Sequence, residues 1–335
     1  MDKNLNTSSS LIPGLDILKF AMALLVVAIH AEAVNDISGI YEVTSPLISC
    51  AVPVFFVISA YLVFRKIRVG SVTPPPYRSL IHFTKRLALL YAFWMVVQLP
   101  LVLHTRHYME MNLFGFIYNF ILDITLRSTF HGAWFLSALV VGVWMIYVAS
   151  KVVGDKIIWI IPFLLAMYVY HANKLPIEYQ GIWNWYDNHI VNPQNSFSVS
   201  LFWISLGYIL ANPKLKRVIA KLKTSYMFMV LLVAWIFCIL GVDLRFLMVI
   251  SLFVVSFNLK TEYKPAYKIM RQSSILIFIL HFVFIGIFRL VLPNVACLQH
   301  GLVLYGVLIV LCLLSSIVIL RLKDYKYFSW LKYSY

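Results

Sequence analysis

Long apolar runs separated by short, basic, polar stretches set the pattern of this chain. Windows near 15–34, 46–64, 87–104, 132–150, 157–172, 197–212, 225–241, 242–258, 273–292 and 301–320 are each mostly apolar. About 20 such residues carry a helix across the hydrocarbon of a bilayer. The pattern therefore predicts an all-α, polytopic integral membrane bundle of about ten transmembrane helices. Nine or eleven also fit, because several windows run short and almost no loop parts 225–241 from 242–258. Between spans, "LFGFIYNFILDITL" is too short to cross. It places Phe114, Ile117, Ile121 and Ile124 at helical spacing, which predicts a helix lying in the outer interface or dipping into the bundle. No internal repeat, heptad or soluble stretch interrupts the series, so a single transmembrane domain over 1–335 is expected, with no separate soluble domain. The first run is too long for a signal-peptide core and lacks a cleavage pattern, so it is expected to remain as an anchor.

Composition agrees: 62% of residues are hydrophobic and 12% charged, with a mean hydropathy of +0.86, outside the range of soluble globular chains. The net charge of +15 invites a nucleic-acid reading, but its distribution argues otherwise. Threading ten spans with the N-terminus in the cytoplasm puts 22 of the 28 Lys and Arg residues on the inner side. Arg106, Arg127 and Lys174 fall outside, and Lys19, Arg245 and Arg289 fall within spans. This positive-inside bias predicts an even number of spans with both termini cytoplasmic. It explains the charge through topology and anionic membrane lipids rather than a nucleic-acid partner. Cys50, Cys238, Cys297 and Cys312 are scattered, with no pair at metal or redox spacing. His104 and His107 are three apart but lack an identifiable third ligand, so no metal is expected.

Candidate chemistry concentrates in the first span, where "FAMALLVVAIHAEAV" is broken by His30 and Glu32. Ionisable side chains inside a span are costly and each is a functional hypothesis. At 100° per residue, Lys19 and His30 lie about 20° apart around a helix, with Asp16 about 40° from His30. The three share a stripe, and the 1.5 Å rise separates Lys19 from His30 by about 16 Å. Glu32 falls about 200° round from His30, so it points elsewhere. Snorkelling of Lys19 to inner headgroups and of His30 to outer ones is the bland alternative. A polar stripe crossing most of the bilayer instead predicts a face toward the bundle interior. His281, about 12 Å into the ninth span, is too deep to snorkel. It reads either as a donor-binding or acid partner or as an interhelical hydrogen-bonding group.

"LDILKFAMALLVVAIH", a basic residue followed eleven positions later by histidine, resembles the first-helix signature of the acyltransferase type 3 family, multi-pass bacterial membrane O-acyltransferases. "AVPVFFVISAYLVFRK" (51–66) resembles that family's second-helix motif, "HGAWFLSALVV" (131–141) its Trp-Phe-Leu segment, and "ILHFVF" (279–284) a late-helix histidine. Two departures stand out. Ala60 occupies a position usually glycine, and the positions after Arg86 are apolar where the family commonly has a second arginine and a proline.

The resemblance implies transfer of an acyl group, expected to be acetyl, from cytoplasmic acetyl-CoA to a hydroxyl of a cell-surface polysaccharide or lipid-linked glycan at the bacterial cytoplasmic membrane. His30 is then the expected general base, with an acyl-imidazole relay as the alternative. Lys19, Arg65, Arg68, Lys85 and Arg86 would meet the donor phosphates. Asp16 either pairs with Lys19 or caps the helix start. Ser59 either binds the thioester or hydrogen-bonds its own backbone. Trp134 and Phe135 are acyl-pocket candidates. "IEYQGIWNWYDNHIVNPQN" is either a sugar-binding surface or an aromatic belt. A proton-coupled transporter or flippase is the rival class, since a polar stripe with a mid-membrane histidine suits it too.

Overall fold

The computed structural model describes residues 12–69, 76–105, 110–130, 132–155, 157–189, 192 and 196–335. Among these, every regular element is helical: α1 (Pro13–His30), α2 (Ile40–Ser49), α3 (Ala51–Val69), α4 (Pro76–Val97), α5 (Leu99–Thr105), α6 (Leu113–Leu122), α7 (Ala133–Val152), α8 (Ile160–His171), α9 (Gly181–His189), α10 (Phe197–Leu210), α11 (Pro213–Ile219), α12 (Thr224–Ile239), α13 (Arg245–Phe257), α14 (Pro265–Val291) and α15 (Gly301–Leu322).

All ten predicted windows are mainly helical, but 46–64 and 87–104 each cross a break between two helices, 15–34 runs past the end of α1, and the lengths do not make ten full spans. Among the described residues, six helical stretches are long and apolar enough to cross a membrane: Pro13–His30, Ile40–Arg68, Tyr77–Val97, Ala133–Val152, Pro265–Val291 and Gly301–Leu322. A seventh arises if Pro213–Ile219 and Thr224–Ile239, bent by 90°, form one span. Ile160–His171, Phe197–Leu210 and Arg245–Phe257 are shorter apolar helices. α12 exposes Tyr226, Phe228, Met229, Leu232, Val233, Ile236 and Phe237, and buries Ala234. An apolar helix exposed on most of its surface suits lipid as solvent, not water. The chain therefore reads as a multi-pass membrane protein. α6 also bears out its helical spacing: Asn112 caps it through Gly115 N–H at 2.8 Å, and Leu113, Phe114, Ile117 and Ile121 are exposed.

The described chain divides into two compact units, 1–58 with 217–333 and 335, and 59–216 with 334. In the first, α1 is central and packs against α14, α13, α2 and α15. Gly14 lets its first turn approach the end of α13 so closely that a Cβ would lie 1.9 Å from the Ser256 carbonyl oxygen. Small residues permit such backbone contact between membrane helices. Trp235 donates its indole N–H to the Val43 carbonyl at 2.8 Å, tying α12 to α2.

In the second unit α7 packs against α10 and α4. Trp144 donates to the Thr84 hydroxyl at 2.9 Å. Asp155, in the α7–α8 loop, accepts both Arg68 Nη groups at 2.9 Å. It also accepts the Tyr208 hydroxyl at 2.7 Å and the Asn212 amide at 3.2 Å. The Arg68 guanidinium lies 3.9 Å over the Tyr208 ring, so the ends of α3 and α10 are clamped to that loop.

Candidate functional site

The site is built in the first unit around α1. Pro13 opens this helix at a position where its missing N–H costs nothing. At the other end Ala33 N–H reaches the Ala28 carbonyl and Glu32 N–H the Ile29 carbonyl, the bonding pattern of a Schellman stop. Glu32 supplies the left-handed residue, at φ 52°. The helix therefore stops at His30, not at 34, and Glu32 lies beyond it. The helical-wheel position expected for Glu32 does not apply, although its exclusion from the stripe stands. Gly301 N–H caps the Ala31 carbonyl at 2.7 Å and fixes the start of α15 beside this end.

His30, half-buried, meets α14 here. Its ring centroid is 5.3 Å from that of His281, with 26° between planes, and 4.5 Å from Phe282. His281 is fully buried. Its Nδ1 lies 2.9 Å from the Ile277 carbonyl one turn back. A carbonyl only accepts, so Nδ1 carries a proton, and in the neutral ring Nε2 presents a lone pair. Nε2 is buried and has no hydrogen-bond partner among the described residues. The hydrogen-bonding alternative for His281 thus resolves in part: its bond is within α14, and its contact with α1 is ring to ring.

Toward the start of α1, Lys19 is buried, with Nζ 5.8 Å from the centre of the Phe55 ring, a distance suited to a cation–π contact. Asp16 is also buried, 3.6 Å from Arg271 Nη1 of α14. The helix-cap alternative for Asp16 is corrected: Ile12 is the N-cap residue and no side chain caps the helix. Arg271 was legible in the sequence only as one inner-side charge among many, and Phe55 only as part of the second-helix motif.

One unit thus brings together Asp16, Lys19, His30 and His281. The other candidates belong to the second unit: Ser59 and Trp134 are half-buried, Phe135 is buried, and Lys85 and Arg86 are exposed. Arg245 pairs with Asp243, its Nε 2.8 Å from a carboxylate oxygen. Among the described residues no three His, Cys, Asp or Glu side chains gather as metal ligands. His107 and the side chain of His104 lie outside the described residues.

An aligned pair of buried cation and imidazole, spaced along one helix, suits a ligand that is anionic at one end and reactive at the other. Two curated relatives share part of their length with this chain. An amino-acid racemase of Enterococcus faecalis is 28% identical over 174 residues, covering 50% of this chain and 22% of the relative. A serine/alanine racemase of Enterococcus gallinarum is 23% identical over 348 residues, covering 96% of this chain and 47% of the relative. The chain thus spans less than half the length of these relatives. No solved structure matches. Residues 12–321, nearly the whole chain, match the family described as "Acyltransferase domain", and the chain belongs to that acyltransferase family.

Proposed function

We propose that this protein is a membrane O-acyltransferase that moves an acetyl group from acetyl-CoA to a hydroxyl of a cell-surface polysaccharide or lipid-linked glycan. The observation that carries the reading is the first-helix stripe in a chain of this family: buried Lys19 and, three turns along, His30 at the helix end against a buried second histidine. In this reading both termini are cytoplasmic and the protein sits in the bacterial cytoplasmic membrane. Lys19 and Arg271 attract the donor's phosphates, and the pantetheine arm follows the stripe. Its length matches the rise of about 16 Å that brings the thioester to His30.

His30 takes the acceptor hydroxyl's proton as oxygen attacks the thioester carbonyl, and returns it to the departing thiolate. The family membership and the half-buried position of His30 support this role. The racemase names describe relatives more than twice the length of the matched segment.

Those names do favour a second reading, in which the shared membrane segment carries a small amino acid across the bilayer. One experiment separates the two. Membrane vesicles with wild-type protein or His30→Ala receive radiolabelled acetyl-CoA and envelope glycan, and alkali-releasable label in the glycan is counted. Label with wild type that is lost in the variant at equal protein level supports transfer through His30. Absence of label with both, together with uptake of labelled serine or alanine, would replace the reading with a carrier.

A further inference from the structure

Among the described residues, the buried side-chain atoms of the first unit that the proposed transfer leaves unused and that lack a hydrogen-bond partner include the hydroxyls of Ser251 and Ser316 and the Nε2 of His281, and the last of these lies beside His30. Leaving such an acceptor unsatisfied costs about 1–3 kcal/mol, and a phenylalanine would fill the same space among Phe278, Phe282 and His30 without that cost. The Nδ1–H bond to Ile277 locks the ring and fixes the tautomer, so the Nε2 lone pair is held in one direction. The neighbouring ring is His30, and their 5.3 Å centroid separation exceeds the contact of about 3.5–4 Å expected between rings stacked face-on. The rings are therefore offset. With 26° between their planes they form an offset stack, from which a turn of the half-buried His30 ring would bring one of its nitrogens to a hydrogen-bond distance of about 2.9 Å from Nε2.

We propose that His281 is the orienting partner of His30: with substrates bound, its Nε2 accepts the His30 ring N–H. The second nitrogen of His30 is thereby left as the lone pair that receives the hydroxyl proton. This inference rests on the acyl-transfer reading for its consequence, though not for the contact itself. The step balances as before: the acceptor O–H and the thioester C–S bonds break, the ester C–O bond forms, and the proton passes through His30 to sulfur. His281 gains and loses no proton. It is a positioning residue, serving His30 as a buried acceptor serves the histidine of a hydrolase triad, with a neutral imidazole in place of a carboxylate.

The test compares His281→Phe, which keeps the ring and its packing, with His281→Gln, which returns an acceptor oxygen near the Nε2 position. Acetyl transfer is measured in vesicles against acetyl-CoA concentration, and the His30 tautomer is read by nitrogen-15 NMR of histidine-labelled protein. Expected for His281→Phe is a fall in kcat of at least about tenfold, short of the roughly 10⁴-fold loss when the group orienting a hydrolase-triad histidine is changed. KM for acetyl-CoA changes little, because in this reading His281 touches His30 and not the donor. His281→Gln recovers part of the loss, and the single His30 tautomer of the wild type becomes a mixture in His281→Phe. Full activity in His281→Phe with failure of His281→Gln would show that the ring only packs, and overturn the proposal. An unchanged His30 tautomer in His281→Phe would do the same. If wild type transfers no acetyl group, the acyl-transfer reading fails on its own, and the NMR comparison still decides whether His281 orients His30.

Discussion

Replacing Asp16 by Asn should weaken the protein through two cations at once. The carboxylate lies 3.6 Å from Arg271, and Lys19, one turn along α1, is itself buried. At that distance and an effective dielectric constant near 20, the pair attracts by about 5 kcal/mol. Arg271 keeps 33% of its side-chain surface exposed, against 6% for Asp16, so solvent screening reduces the coupling to about 1–2 kcal/mol. Asp16→Asn also leaves Lys19 without its nearby negative charge, and the single substitution should cost about 2–3 kcal/mol, below the 3–5 kcal/mol of a fully buried pair. The assay is equilibrium unfolding in mixed micelles with rising SDS fraction, followed by tryptophan fluorescence. Wild type, Asp16→Asn, Arg271→Gln and the double variant form a double-mutant cycle. A coupling of 1–2 kcal/mol is expected on these grounds. Additive losses, or a double variant less stable than the sum, would refute the assignment of Arg271 as the partner of Asp16.

Three further outcomes follow from backbone geometry and the loop clamp. Gly14→Ala forces a methyl group against the Ser256 backbone and should lower stability by about 1–3 kcal/mol or more, because a carbonyl on a packed helix has little room to retreat. Unfolding in the same micelles checks this, and an unchanged midpoint would contradict the close approach of α1 and α13. Glu32→Gly relieves a left-handed backbone conformation on an exposed residue and should be stabilising by up to about 1 kcal/mol, read as a rise in Tm. Burial works against the charge of Asp155, but the Arg68, Tyr208 and Asn212 hydrogen bonds outweigh it and hold this carboxyl below the usual carboxylate range. Its contribution is therefore present above that range and lost as pH falls through the lowered value. The Tm difference between wild type and Asp155→Asn should be full at neutral pH and close in acid; a difference that widened on acidification would reverse the sign of the linkage.

The alignment of Asp16, Lys19 and His30 was legible without coordinates, because helical period is a local property and α1 runs unbroken across all three. The end of that helix was less legible. Nothing in the apolar pattern of "IHAEAV" announces a stop, and a left-handed glutamate departs from the usual glycine signal. His281 stood out as a histidine deep in a span, yet its neighbour was hidden, since α1 and α14 are far apart in the chain.

By itself, the amino-acid sequence determined that the chain folds as apolar helices suited to lipid, joined by basic loops, and which polar groups of the first helix share a face, but not where every helix ends. Only the tertiary structure decided which helices meet. In lipid, apolar faces are nearly interchangeable, so partners are chosen by close backbone approach and by paired polar groups. Gly14 against Ser256, Asp16 against Arg271 and His30 against His281 are contacts of these kinds. Each joins residues distant in the chain, and so each becomes visible only when the helices are packed.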